Sequence, residues 1–127
     1  MDDGVVNNVE ESKKAYNIRH RCFHFSKEVI GFVRIAKVDR VFFSLYEQLV
    51  RSATSIGANV VEGGAGSSKK DFVNFLTIAL KSANETKYWL CLVRDTMEED
   101  KNLLNKLISE ADALSKIIAR IVLNAKH

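Results

Sequence analysis

Nothing in this chain of 127 residues breaks a helix from within, because it contains no proline. Proline removes a backbone donor and clashes with the preceding turn, so helices without it can run long. Apolar residues recur at three- and four-residue spacing along most of the sequence, which is the period of an amphipathic helix. The two features together predict an all-α fold whose helices end at glycines and polar caps. Hydrophobic residues make up 46% and charged residues 28%, a globular composition. The length fits one domain with a core that needs neither disulfides nor metal.

Four helical segments follow from the pattern. Residues 1–11 read as a loose acidic tail, and residues 12–127 as the folded unit. The first helix is expected over about Ile18 to Lys37, starting as early as Ser12. It has an inner stripe of Ile18, Cys22, Phe25, Val29, Phe32, Val33 and Ala36. Lys13, His20, His24, Lys27 and Arg34 share the opposite face. A link at Val38 and Asp39 leads to a second helix, about Arg40 to Glu62, stopped by Gly63, Gly64 and Gly66. Ser68 and Asp71 form a capping pattern for a third helix that ends near Asp95. Its main stripe is Phe72, Phe75, Leu76, Ala79, Ala83, Leu90 and Val93. Thr96 with Glu99 is the expected cap of a fourth helix carrying Leu103, Leu107, Ala111, Leu114, Ile118, Ile121 and Ala125. Four helices of similar length with short links predict an antiparallel up-down four-helix bundle.

The second helix is unusual. Phe42, Tyr46, Leu49, Ala53, Ile56 and Val60 supply one apolar stripe. An ordinary surface helix fills the other face with Lys and Glu. Here that face carries Ser44, Gln48, Arg51, Ser55, Ala58 and Glu62, with Asn59 at its edge. Small, weakly polar side chains there predict a helix covered on both sides. The third helix has a second stripe too: Ile78, Ser82, Glu85, Trp89 and Leu92. These residues, with Gln48, Arg51, Ser55, Asn59 and Glu62, are the expected polar network or oligomer interface.

Charge is unevenly spread. Residues 1–11 hold four acids and no base, residues 12–40 hold eight Lys or Arg against two acids, and residues 101–127 hold five against two. A net charge of +3 is no strong nucleic-acid signature by itself. The basic excess on the first and last helices nevertheless makes Lys13, Lys27, Arg34, Lys116 and Arg120 the expected phosphate contacts. The chain opens with Met-Asp-Asp-Gly, acidic where a secretory signal is basic. No apolar run approaches the roughly 20 residues of a membrane span, and two cysteines make no disulfide framework. A reducing cytoplasm, without membrane contact, is expected.

Signs of catalysis are weak. His20 and His24 have the spacing of two metal ligands but no evident third, so they read as part of a basic solvated face. Cys22 and Cys91 have no adjacent base and read as partly buried thiols. The segment from Gly63 to Lys70 lacks the Walker spacing and follows a helix, not a strand. A helix stop followed by a cap explains it, with anion binding by Lys69 and Lys70 as the alternative. Glu62 and Glu85 have no histidine or metal beside them and read as structural. Phe72 and Phe75 fit a core, and Trp89 fits an interface. No cofactor, metal or catalytic residue is expected, and the chain reads as a non-enzyme.

Two blocks carry a family pattern. Residues 50–63, VRSATSIGANVVEG, resemble the RS-x-x-SI-x-x-N-x-x-EG core of small four-helix-bundle proteins. That family was first noticed as products of intervening sequences inserted in large-subunit ribosomal RNA genes. Ser68–Phe72 and Ile78–Leu90 are similar to its SKKDF and IALKEA-x-ET-x-YWL segments, with Ser82 and Asn84 departing from the charged residues often found there. More distantly, the family resembles the accessory variability protein of diversity-generating retroelements, a homopentamer that binds nucleic acid and a reverse transcriptase. The resemblance implies a bundle, a homo-oligomer (a pentamer) and RNA or DNA binding, and carries over no catalytic residue. The competing expectation is a protein-interaction scaffold or an accessory subunit, for example of a reverse transcriptase, that binds no nucleic acid itself.

Overall fold

The structure, a computed structural model, describes the backbone of residues 6–65 and 68–126, and side chains from Ile18 onward within those ranges. Four helices follow one another: α1 (Val6–Ile35), α2 (Phe43–Gly64), α3 (Lys69–Thr96) and α4 (Lys101–Lys126). A single 3-10 turn, Arg40–Phe42, precedes α2. No strand occurs among the described residues. Part of the expected acidic tail falls outside the described residues, and from Val6 onward the backbone is already helical.

Each helix packs on its neighbours in sequence, and α1 closes the ring against α4. Inter-helix contacts run in opposite chain order, as antiparallel neighbours require. Ser52 meets Thr86 while Gly63 faces Leu76. Lys87 meets Asp112 while Arg94 meets Asn105. Among the described residues, the seam between α2 and α3 is the most extensive, and that between α1 and α4 the sparsest. The result is an all-α four-helix bundle.

Most positions of the predicted core stripes are buried, while Val33 and Ala36 of α1 and Phe72 and Phe75 of α3 are half-buried at the edge. Ile18, Cys22, Phe25, Val29 and Phe32 of α1 meet Tyr46, Leu49, Ala53, Ile56 and Val60 of α2 in one cluster with the α3 and α4 stripes. Phe42 is the exception on the second helix. It lies in the 3-10 turn, before α2 begins, and is 40% exposed. On α4 the buried face is rotated toward Leu104, Ser115 and Val122, leaving Leu103, Ile121 and Ala125 half-buried. Both registers satisfy three- and four-residue spacing, so periodicity alone does not separate them.

One helix start differs from expectation and one agrees. Ser68 caps α3 as its sequence suggests, accepting from the Asp71 backbone N–H at 3.1 Å. Asp100, not Thr96, caps α4: its Oδ1 accepts from the N–H groups of Asn102 and Leu103. The Thr96 hydroxyl instead donates back to the Leu92 carbonyl inside the last turn of α3. An aspartate carries charge toward the positive end of the helix dipole, which a threonine does not.

The glycines of α2 serve close packing rather than left-handed turns. No glycine among the described residues has positive φ, and α2 runs through Gly63 and Gly64. A Cβ on Gly57 would lie 3.1 Å from the Cys22 Cβ, and one on Gly63 would lie 2.6 Å from Leu76 Cδ2 and 3.2 Å from Phe75 Cβ. Backbone approach at these points sets how near α1 and α3 come to α2.

A contrast between two glycines tests this. Gly31 sits inside α1, and a methyl group added there would meet nothing within 4 Å. Gly31→Ala should therefore stabilise by about 1 kcal/mol through helix propensity. Gly57→Leu should destabilise by roughly 1–3 kcal/mol, because the added atoms have no room between α1 and α2. Urea midpoints at one fixed protein concentration would show the opposite signs.

Candidate nucleic-acid interface and polar network

α1 presents two basic surfaces. One is its outer face, where Lys27 and Arg34 are exposed. Lys27 Nζ lies 5.9 Å from the ring centroid of Phe23, one turn earlier. His24 lies 3.3 Å from Glu28, an ion pair only when the imidazole is protonated. Among the described residues neither Lys27 nor Arg34 has a carboxylate partner. Lys13 also lies on α1, but its side chain is outside the described residues.

The other surface is a groove of about 440 Å³ between α1 and α4. Ile18, Ile117 and Ile121 supply its apolar lining, with Arg21, Lys116, Arg120 and Asn124 at its polar positions. The fold thus brings Lys116 and Arg120 together, one helical turn apart, and sets them away from Lys27 and Arg34. Arg21 joins them here although it is not among the expected phosphate contacts. Its guanidinium forms a bidentate pair with Glu110 at 2.8 and 2.9 Å, joining α1 to α4. No periodicity signal identifies a pair 89 positions apart in sequence.

Several of these cations are already neutralised. Asp112 accepts from Lys116 at 2.9 Å and from Lys87 at 3.2 Å. The Lys116 hydrogen bond, then that of Lys87, holds the Asp112 carboxyl below its ordinary value. Arg120 has no ion-pair partner among the described residues. Among Arg21, Lys27, Arg34, Lys116 and Arg120, the unpaired charges are therefore those of Lys27, Arg34 and Arg120.

Some of the residues predicted for a polar network are hydrogen-bonded to one another within the chain. Ser55 Oγ and Ser82 Oγ are 2.8 Å apart, and Asn59 Nδ2 donates to the Ser55 carbonyl at 2.8 Å and to its Oγ at 3.0 Å. Thr86 Oγ1 reaches Ser52 Oγ at 3.0 Å in the dry centre of the seam. Arg51 donates to Gln48 and pairs with Glu85, which also accepts from Trp89 Nε1 at 2.9 Å. The polar face of α2 is thus covered by α3 only in part: Gln48, Ser55 and Asn59 are half-buried, while Ser44, Arg51, Ala58 and Glu62 are exposed, against the expectation of a helix covered on both sides. No buried side-chain polar atom among the described residues lacks a partner. An unsatisfied buried hydroxyl costs about 1–3 kcal/mol, so this pairing is what makes serines tolerable in the seam. The Arg51–Glu85 pair is more than one-third exposed on both sides. Such pairs contribute about 0–1 kcal/mol, so its main effect is to orient Trp89.

Other members of the predicted set remain at the surface. Glu62 is exposed, and its carboxylate has no hydrogen-bond partner among the described residues. Ile78 is 45% exposed, and Leu92 is half-buried. A separate apolar groove of about 640 Å³ lies among Val33, Ala36, Val38, Phe43, Tyr46 and Val50, and no sequence pattern marks it.

The sequence pattern of the 23S rRNA-intervening sequence protein family matches residues 8–120. The chain belongs to that family. A crystal structure of a protein of unknown function from the S23 ribosomal protein family, from Bacteroides thetaiotaomicron, is similar in fold, with a TM-score of 0.79 and 30% identity. The similarity covers 86% of this chain and 97% of that one. No curated protein is significantly similar to the chain.

Elsewhere in this member of the intervening-sequence family, reactive groups are dispersed or buried. No group of three or more His, Cys, Asp or Glu among the described residues is placed to hold a metal ion. The Cys22 thiol is fully buried, and burial, reinforced by the Glu110 charge, pushes it up to about 12. It is held as a protonated thiol at neutral pH. No helix of the described residues is long and apolar enough to cross a membrane.

The Asp112 cluster gives a pH test. A carboxyl held below 3.8 in the folded state contributes stability above its unfolded pKa and loses it as pH falls through the lowered folded value. Asp112→Asn should therefore lower the urea midpoint at neutral pH. Its difference from wild type should shrink as the solution is acidified below 3.8. A difference that stays constant with pH would assign no role to the ion pairs.

Proposed function

We propose that this chain is a non-enzymatic, cytoplasmic subunit of a homo-oligomer, a pentamer, that binds structured RNA or DNA by phosphate contacts. The observation that carries this reading is the exposed and unneutralised pair Lys27 and Arg34 on the outer face of α1. Arg21 and Lys116, by contrast, are engaged by Glu110 and Asp112. Membership in a 23S rRNA-intervening sequence protein family is compatible with RNA as the partner. One subunit offers few free charges, and repetition around an oligomer multiplies them. Each phosphate contact then adds to affinity through counterion release.

Self-association is supported by apolar surface that one chain leaves open. Ile35 is 77%, Val41 78% and Phe43 49% exposed beside the apolar groove at the junction of α1 and α2. Clustered exposed apolar residues mark interaction surfaces. The same observation favours the second reading, a scaffold or accessory subunit, for example of a reverse transcriptase, that binds protein and not nucleic acid.

Titration of labelled structured RNA and duplex DNA at two salt concentrations separates the two readings. Wild type should bind both with steep salt dependence and little sequence preference. Replacing Lys27 and Arg34 together by Glu should weaken binding and flatten the salt slope by roughly 1.5 per engaged subunit, leaving helicity unchanged. Binding that survives the double reversal would move the site, with Lys69 and Lys70 next. Absence of binding at low salt would favour the scaffold. Light scattering at micromolar concentration should give an assembly, and a stable monomer would remove the oligomer from the proposal.

A further inference from the structure

Phe23 lies at an unusual place for a phenylalanine. It is 66% exposed in the middle of α1, on the same helix face as Lys27 and Arg34. Single exposed apolar residues are common and need no explanation. Here, however, Phe23, Lys27, Ile30 and Arg34 follow one another at spacings of four, three and four residues, so they form one continuous stripe. Ile30 is 39% exposed within it. Lys27 leans over the Phe23 ring. Apolar and cationic side chains alternate along a helix edge that the bundle does not cover.

Resting on the proposed nucleic-acid reading, we infer that this stripe binds an unpaired nucleotide segment, with one base stacked on Phe23 and the neighbouring phosphates held by Lys27 and Arg34. Duplex recognition by phosphates alone needs cations and has no use for an exposed ring. Stacking requires a base out of its own helix, which loops, bulges and single strands supply. The geometry suits one strand. Lys27 and Arg34 are seven residues apart, roughly 10 Å along the helix axis, so they reach different phosphates. With two-thirds of Phe23 exposed, a flat partner has access to ring surface that Lys27 leaves uncovered. Ile30, between the cations, offers apolar contact to the sugar or to a second base.

The test compares Phe23→Ala with wild type on three probes: an RNA hairpin with an unpaired loop, a single-stranded DNA, and a fully paired duplex. A fluorescent adenine analogue in the loop reports stacking directly. Phe23→Ala should weaken hairpin and single-strand binding roughly tenfold, the contribution of stacking one base. It should leave duplex affinity within error of wild type and abolish the fluorescence change. Phe23→Tyr should retain both. Circular dichroism of Phe23→Ala should match wild type, since the side chain is outside the core. Equal weakening on all three probes, or none on any, would overturn the stacking site while leaving phosphate binding intact. Failure of wild type to bind any probe would overturn both readings together, and loss only in the Lys27 and Arg34 double reversal would retain phosphate binding alone.

Discussion

The bundle depends on how closely α2 lets its neighbours approach. α2 is flanked by α1 on one side and α3 on the other, and its closest approaches to both are made at residues with little or no side chain. Gly57 touches the Cys22 region of α1, Ser52 and Ser55 bond to Thr86 and Ser82 of α3, and Gly63 sits under Leu76. Larger residues would hold the helices apart and open voids around Leu49 and Ile56, which are fully buried. Dispersion falls off over fractions of an ångström, so a uniform small separation contributes more than any one bond across it.

The hydroxyls in that seam serve a second end. Serine and threonine are nearly as small as alanine but carry directional groups. Satisfied across α2 and α3, they fix the register between the two helices, whereas an all-alanine contact slides with little penalty. Thr86 also donates to the Ser82 carbonyl within its own helix. These directional bonds and the apolar cluster then place the α3 stripe against α4, and the Lys87–Asp112 pair lies at the outer edge of that second seam.

Helix number, order and most of the core are legible in the sequence because amphipathic spacing reports directly on burial. Ile18, Cys22, Phe25, Val29, Leu107 and Leu114 are buried as their positions predict. The rotation of α4 toward Leu104 and Val122 is not legible, since both faces are apolar and only the shape of the partner helices selects one. Nor does local pattern distinguish Asp100 from Thr96 as a cap. The odd polarity of α2 marks covered surface only around Ser55, since Ser44, Arg51, Ala58 and Glu62 are exposed. Its cover is α3 of the same chain at Ser52 and Ser55, a point that depends on helix order around the ring. Of the candidate basic residues, Lys27 and Arg34 stay unpaired and Lys116 is bound to Asp112. The Lys116 pair is legible in the sequence as a four-residue spacing on one helix, whereas Lys87 reaches the same Asp112 from another helix, which spacing does not report. The pairing of Arg21 with Glu110 and the exposure of the Phe23 ring escape local pattern for the same reason: both depend on where neighbouring helices lie.

α1 is fastened unequally along its two edges. Toward α2 it has close backbone approach and continuous apolar packing. Toward α4 it has the sparsest seam among the described residues, bridged by Arg21 and Glu110 over Ile18, Ile117 and Ile121. The first edge behaves as a hinge and the second as a latch. Ionic strength loosens a partly exposed ion pair and leaves apolar packing in place. The easiest opening of this molecule is therefore a swing of α1 away from α4. Such a motion bares isoleucines without melting the seam between α2 and α3, and hydrogen exchange would register it as early loss of protection confined to one edge of the ring.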